Sequence, residues 1–300
     1  MSKKRISLSE AVAQIPDGAS IGLPGFSIAR NAIAFAHEII RQGKKHLTLS
    51  SCAAGLDAEL IVAAHAVDRL IYSCGTLDKY GPVATINRYI DEGKLAVEEH
   101  SMLSIELRYF AGSIGISYVP CNSLLGSDVL KELLRVAPEN VKESRCPFTG
   151  EKQVLLRALQ PDVGVVVANY ADEDGNTVIE GPYWNIKEMA HASKKLLVIA
   201  EQIVPESVIT QKPEMTLISG AVVDMLVELP WSAYPTSLYG RYSYDDKQLK
   251  IYTQANRDER SMQAYLDQYV YGVKDHFEYL EKSLDFKTLM EQMAVPHKGY

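Results

Sequence analysis

Apolar residues follow two rhythms along this 300-residue chain. Some short stretches are apolar at nearly every position, as in Val163-Gly164-Val165-Val166-Val167-Ala168. Runs of this kind predict strands at 20–23, 46–51, 69–73, 95–98, 117–119, 163–169, 195–200 and 221–228. Continuous runs suit strands of a parallel sheet covered on both faces. Between them lie helical patterns at 8–15, 31–42, 58–66, 102–110, 128–136 and 187–192. This alternation predicts an α/β fold, an open and mostly parallel sheet flanked by helices. Two longer helical stretches close the chain, 258–271 and 273–293. Met262, Tyr265, Leu266 and Tyr269 mark the first, and Phe277, Leu280 and Leu284 the second. Both are expected to pack on the main body, so that residues 1–300 form one domain with C-terminal helices over about 256–293. Pro138, Pro147 and Gly150 make 137–150 either a boundary between two lobes or a long surface loop.

Composition narrows the class. Hydrophobic residues at 47% and charged residues at 23% suit a folded chain rather than a disordered one. With 31 Lys+Arg against 38 Asp+Glu the net charge is −7, and the cations are scattered. A nucleic-acid surface needs a basic stripe, and the densest run here is Lys3-Lys4-Arg5. The longest apolar candidate for a membrane span, 217–229, is broken by Ser219, Gly220, Asp224 and Glu228. No apolar segment follows the basic N-terminus, so no secretory signal is expected. Cys52, Cys74, Cys121 and Cys146 form no CxxC pair and read as reduced thiols of a cytoplasmic protein. The seven histidines show neither HxH nor HxxxH spacing, so no metal site is expected. GxSxG, GxGxxG and the P-loop lysine motif do not occur either.

Candidate chemistry gathers where predicted strands end. Asp17-Gly18 turns into a strand that ends in Pro24-Gly25-Phe26, before a helix. Such a glycine loop can aim successive N–H groups at one oxygen. Pro24 has no N–H, which leaves Gly25 and Phe26 as donors; an ordinary tight βα turn is the alternative. The segments 50–55, 72–76 and 98–101 also follow strands, at the end where parallel sheets hold ligands. They predict one polar pocket containing Ser51, Ser73, Glu99 and Ser101, against the alternative of three capped turns. Asp174-Gly175-Asn176 is a turn signal between two strands. Glu201, ending a buried strand, is expected to accept backbone amides of a neighbouring loop or to line the site. Asp224, among Val222, Val223, Met225 and Leu226, needs a polar partner. Tyr234, Tyr239, Tyr242 and Tyr244 surround Gly240 in a segment that reads as a lid, an intersubunit contact or packing under the last helices. Cys52 reads as a packed thiol rather than a nucleophile.

The segment 17–26 resembles the alpha-subunit (A-type) signature of family I coenzyme A transferases. That signature is Asp/Asn-Gly, two free residues, three apolar residues, Gly-Gly-Phe, then Gly-x-Pro. Here Gly22 stands among the apolar positions, Pro24 replaces the first glycine, and Arg30-Asn31-Ala32 stands where Gly-x-Pro would follow. Further pieces resemble the family in order and spacing: Ala111-Gly112-Ser113-Ile114-Gly115 through Val119-Pro120, Pro161-Asp162-Val163, and Ala171-Asp172-Glu173-Asp174-Gly175-Asn176. Then come Val198 to Pro205, Val222-Val223-Asp224, and Pro230-Trp231-Ser232-Ala233-Tyr234-Pro235-Thr236-Ser237. Together they cover about residues 5–255 and are similar to the glutaconate CoA-transferase branch.

The resemblance implies the alpha subunit of an enzyme moving CoA between an acyl-CoA and a carboxylic acid. Coenzyme A would enter as acyl-CoA substrate, with no permanently bound cofactor. The family's nucleophilic Glu lies in the beta (B-type) subunit, within a Ser-Glu-Asn-Gly-like segment. The only Glu-Asn here, Glu139-Asn140, is followed by Val141. This chain would therefore be half of an active site in an obligate hetero-oligomer with the beta subunit, a heterotetramer, with no nucleic-acid or membrane partner. Gly25 and Phe26 would be oxyanion donors, and Ser51, Ser73, Ser101 and Glu99 would bind the acyl carboxylate or the thiol end of CoA. A second implied function keeps the fold: ring-opening hydrolysis of steroid-ring CoA thioesters, with Glu98, Glu99 or Glu106 as the recruited carboxylate. A third is a ligand-sensing module of a regulator. The acidic charge, and the lack of room for a helix-turn-helix before residue 17, stand against it.

Overall fold

The computed structural model describes residues 4–211 and 213–294. In chain order the strands are β1 (Ser20–Gly22), β2 (Leu47–Ala54), β3 (Val67–Gly75), β4 (Ala96–Glu99), β5 (Tyr118–Cys121), β6 (Val141–Arg145), β7 (Lys152–Arg157), β8 (Val163–Ala168), β9 (Tyr170–Ala171), β10 (Thr177–Val178), β11 (Lys195–Ala200), β12 (Thr216–Ile218) and β13 (Met225–Glu228). Seven of them form one parallel sheet in the order β13-β11-β8-β1-β2-β3-β4. The helices are α1 (Leu8–Ala13), α2 (Ile33–Arg41), α3 (Leu56–Ala63), α4 (Ala84–Asp91), α5 (Met102–Ser113), α6 (Asp128–Val136), α7 (Ile186–Ala192), α8 (Glu206–Thr210), α9 (Asp246–Ala255), α10 (Glu259–Leu266), α11 (His276–Ser283) and α12 (Phe286–Ala294). The expected open α/β sheet is present, and none of the described helices is long and apolar enough to cross a membrane.

The continuous apolar runs have the cause the pattern implied. In β8, Val163, Val165 and Val167 pack into one core cluster, whereas Val166 and Ala168 pack into another across the sheet. The first cluster is built with α2, α3 and the C-terminal helices, the second with α5 and α7. Alternate side chains thus meet apolar neighbours on both faces, and no polar position is tolerated along the strand.

Several boundaries differ from the sequence expectation. The strand expected at 117–119 does not join the main sheet. It is β5 of an antiparallel sheet ordered β5-β7-β6, and β6 lies inside the 137–150 segment read as a loop or lobe boundary. Leu130 and Leu133 of α6 cover this sheet with Val141, Val154 and Leu156, a satellite core of its own. The 221–228 strand shrinks to Met225–Glu228, because Ser219 caps a short 3-10 turn over Gly220–Val222. The 273–293 helix is two helices, the first capped by the Asp275 carboxylate accepting from Glu278 N–H at 2.9 Å. Helices α4 and α9 are additions that the apolar pattern does not foresee.

The buried Glu59 of α3 ties these two helices together. It accepts from Tyr252 OH at 2.7 Å, Asn256 Nδ2 at 2.9 Å and Ile86 N–H at 3.3 Å. Burial outweighs those bonds and raises its carboxyl from 4.5 to about 7. The folded state then holds the proton more tightly than the unfolded chain. This contribution to stability is complete below pH 4.5 and lost as pH rises through about 7. Glu59→Gln is expected to flatten the decline of the urea midpoint between about pH 5 and about pH 8. Parallel curves for the two proteins would refute this.

Candidate functional site

Strand β1 is the point at which the sheet changes direction. The chain runs outward from it through β2, β3 and β4 on one side, and later through β8, β11 and β13 on the other. In open α/β sheets ligands bind beyond the carboxyl end of such a strand. Here that position is taken by the loop from Leu23 to Ala32.

The loop is held from every side. Leu23 N–H donates to Ser50 O at 2.9 Å, and Arg30 N–H to Ser237 O at 2.7 Å. Phe26 N–H and Ala29 N–H each donate to the other's carbonyl at 3.0 Å. Asn31 is wedged between Gly25 and Gly55, its Oδ1 accepting from Leu56 N–H at 2.9 Å. A Cβ on Gly25 would collide with Asn31 Nδ2, and one on Gly55 with Ser27 O. Close approach, rather than left-handed backbone, is what requires glycine at both positions.

Arg30 lies wholly beneath the loop. Its guanidinium donates to Val167 O at 3.0 Å, Asn169 Oδ1 at 3.2 Å and Glu180 O at 2.6 Å. Asn169 in turn donates to Tyr239 O at 2.7 Å and accepts from Glu180 N–H at 2.9 Å. The hub joins the glycine loop, the end of β8, the 180–184 segment and the tyrosine-rich segment. At the far end of the 180–184 segment Trp184 lies against Phe26, with ring centroids 5.0 Å apart and planes 12° from parallel.

Between these parts opens a cleft of about 470 Å³ lined by Phe26, Ser27, Ile28, Ala29, Thr76, Asp78, Pro182 and Trp184. Three of the lining residues are non-glycine residues in left-handed backbone: Ser27 at φ 57°, Asp78 at 56° and Trp184 at 42°. Such conformations persist where surroundings over-determine them, and they gather at ligand sites.

The predicted site residues divide. Gly25 N–H has no hydrogen-bond partner among the described residues, whereas Phe26 N–H is engaged by Ala29 O. Phe26 therefore contributes its ring to the cleft and not the expected amide. None of Ser51, Ser73, Ser101 and Glu99 lines this cleft. Ser51 pairs with Tyr72 and Tyr72 with Glu99, which puts Ser51 and Glu99 on one face of the sheet. Ser73 is one residue on and faces the other way, its hydroxyl donating to Cys52 O. Ser101 caps α5, accepting from Ser104 N–H at 3.1 Å. Ser73 thus faces away from Ser51 and Glu99, because successive strand residues alternate faces.

The acidic candidates are likewise placed by the fold. Glu98 is buried with His100 at 2.9 Å, Asn140 Nδ2 at 3.0 Å and Arg108. Burial alone would raise its carboxyl, but the His100 bond, the Arg108 charge and Asn140 bring it down to about 2. It is a fixed anion linking β4, α5 and the small sheet. Glu99 is exposed. Glu106 is raised to about 7, by burial and then by Glu188, with a bond from Cys52 opposing. Cys52 is pushed up to about 12, first by burial and then by Glu106, so it stays a thiol at neutral pH. Glu201 does accept loop amides, from Trp231 at 2.6 Å and Ser232 at 3.0 Å. Asp224 finds its partner in Leu196 N–H at 2.8 Å. Asp174-Gly175-Asn176 turns between β9 and β10, with Gly175 at φ 90°. Sequence reasoning missed Arg30, Asn169, Glu180 and Trp184. Only the oddity of Arg30-Asn31 in the place of Gly-x-Pro points toward them.

A parallel sheet whose reversal strand ends in a glycine loop over a ligand-sized cleft defines a small-molecule α/β enzyme component. This chain belongs to the Coenzyme A transferase family, whose family model matches residues 5–229. It is 31% identical over 313 residues to the alpha (A-type) subunit of glutaconate CoA-transferase from Acidaminococcus fermentans, covering 99% of this chain and 97% of that one. The crystal structure of glutaconate coenzyme A-transferase from the same organism superposes with a TM-score of 0.91 at 30% identity, over 98% of this chain and 96% of that chain. An uncharacterized protein of Archaeoglobus fulgidus is 33% identical over 94% of this chain, which spans 62% of that protein's length.

Proposed function

We propose that this chain is the alpha subunit of a two-subunit CoA-transferase that moves CoA between an acyl-CoA and a carboxylic acid. The observation that carries this reading is the match over nearly its whole length to an alpha subunit of that type. A second fact agrees: the one acid lining the cleft, Asp78, sits in an exposed turn beside Thr76. The nucleophile is then the partner's Glu. Its carboxylate attacks the thioester carbonyl, CoA thiolate leaves and an acyl-glutamyl anhydride forms. The thiolate next attacks the glutamyl carbonyl, releasing the acid and leaving a glutamyl-CoA thioester. Reversal of the two steps with a second acid completes the exchange.

This chain's part is to hold Gly25 N–H where negative charge grows on the carbonyl oxygen. Phe26 and Trp184 keep water from the anhydride, which water would destroy. CoA is a substrate on this reading, no cofactor is resident, and the assembly is a cytoplasmic heterotetramer with the beta subunit. The test is native mass and CoA exchange between two acids, for this chain alone and co-expressed with a gene neighbour of the beta type. A stable hetero-complex that alone performs exchange is expected. A self-sufficient homo-oligomer, or a complex that hydrolyses thioesters with no exchange, overturns the reading.

A further inference from the structure

Resting on the transferase reading, we infer that the beta subunit docks on the outer side of α5 and on the uncovered face of the small sheet β5-β7-β6. On its inner side α5 packs Ile105 and Tyr109 into the core beneath the main sheet. A surface helix should then be polar outside. The exposed residues of α5 are instead Met102, Leu103 and Phe110, and its C-cap is the exposed Ile114. With 3.6 residues per turn these four fall in one stripe roughly 120° wide. Glu106 lies within it, but its carboxyl, raised to about 7 by burial and then by Glu188, carries only part of a charge at neutral pH. A helix apolar all round belongs in an interior, and among the described residues nothing covers this side of α5. Two residues past Ile114, Ile116 joins the stripe to the small sheet. Helix α6 covers one face of that sheet, over Val141, Val154 and Leu156. The other face carries Tyr118, Pro120 and Leu155 around an open cleft of about 550 Å³, with Phe148 on its rim at 94% exposure.

Extent and position both point to the beta subunit. Met102, Leu103, Phe110, Ile114, Ile116, Tyr118 and Phe148 are each at least 41% exposed. At about 200 Å² for a whole large side chain, their exposed parts come to roughly 800 Å², more than the largest patch on a typical monomer and the share each partner gives to a standard interface. The stripe also starts where the cleft opens. Glu99, the last residue of β4, pairs beside Tyr72 of β3, and β3 leads into the cleft residues Thr76 and Asp78. Helix α7 begins two residues after the cleft residue Trp184 and runs beside α5 in the same direction, with Glu188 near Glu106 and Ala192 against Gly112. Both helices therefore begin at the carboxyl edge of the sheet. A subunit that brings its Glu to the cleft stands over this edge and meets Met102 and Leu103 there.

Two measurements on the co-expressed complex test this. The first is native mass and subunit affinity for the double variant Phe110→Asp with Ile114→Asp. Both side chains are exposed, so the urea midpoint of the chain is expected to stay unchanged, while its affinity for the beta subunit falls by about tenfold or more and exchange falls with it. The matched change Phe277→Asp, on the exposed side of α11, should leave assembly and exchange as they were. The second measurement needs no substitution. Hydroxyl-radical labelling of Phe110, Tyr118 and Phe148 should drop severalfold on going from the free chain to the complex, with Tyr271 and Phe277 labelled equally in both. Full affinity in the double variant, or rings as reactive in the complex as in the free chain, overturns the inference. So does loss of a homo-oligomer of this chain with the hetero-complex intact, which would make the face a contact between copies. Failure of the transferase reading has a different signature: the unaltered chain gives a complex without exchange, or no complex, before any residue is changed.

Discussion

Arg30→Ala is expected to lower the stability of the protein by about 3 kcal/mol and to cut CoA exchange by the complex more than about tenfold. The reason is the number of groups that depend on one side chain. The guanidinium serves Val167 O, Asn169 Oδ1 and Glu180 O from a fully buried position. A buried acceptor left without a donor costs about 1–3 kcal/mol, and relief from burying the cation offsets part of the sum. The same loss frees the 180–184 segment, so Trp184 no longer faces Phe26 at a fixed 5.0 Å. Arg30→Lys separates charge from geometry. An ammonium on a flexible stem lacks the planar fork and is expected to recover only part of the loss. Urea midpoints and exchange rates for both variants decide the matter, and an unchanged midpoint for Arg30→Ala would falsify the role given to this hub.

Glu201→Ala is expected to be of similar size, about 3 kcal/mol, and to act through a different segment. The carboxylate accepts from Trp231 N–H at 2.6 Å, Ser232 N–H at 3.0 Å, Ser232 Oγ at 3.2 Å and Tyr242 OH at 2.9 Å. Those bonds hold Trp231 at φ 61° and stack it on Tyr242 with centroids 4.2 Å apart. The segment so fixed supplies Ser237 O to Arg30 N–H at 2.7 Å and Thr236 Oγ1 to Asn31 N–H at 3.3 Å. It also supplies Tyr239, which packs on Gly181, next to the cleft residue Pro182. Losing the acceptor therefore loosens the floor of the glycine loop, although Glu201 itself does not line the cleft. Glu201→Gln keeps the volume but turns an amide N–H toward donors, so it too is expected to lose stability. Limited proteolysis between residues 230 and 242 should rise in both variants along with the drop in midpoint. Resistance equal to that of the unaltered protein would show that the segment is held by other contacts.

The strand at 163–169 is legible in the sequence because a doubly covered strand allows only apolar side chains, and that constraint is local. The segment 152–157 escapes for the complementary reason. Its strand, Lys152–Arg157, is covered on one side only and carries charged ends, so it lacks a continuous run. Gly25 is found through its motif. The commitment of Phe26 N–H to Ala29 O depends on a short loop closure that composition does not encode. Ser51, Ser73, Glu99 and Ser101 look equivalent in the sequence, since each lies near the end of a strand. Their separation needs the register, in which Tyr72 pairs with both Ser51 and Glu99, and a one-residue step sends Ser73 to the opposite face.

By itself the sequence determined the α/β class, the strands buried on both faces, the glycine loop after β1 and the family to which the ordered motifs belong. These follow from side-chain periodicity and from backbone chemistry that neighbouring residues impose on one another. Tertiary structure alone decided that Arg30 is buried as the hub of the site, that Trp184 meets Phe26, and that Asp78 is the single charge on the cleft wall. Those contacts join residues far apart in the chain, and a buried charge is stable only where folding brings its acceptors within reach. Periodicity has no term for such meetings, because they depend on which strand ends the fold sets side by side.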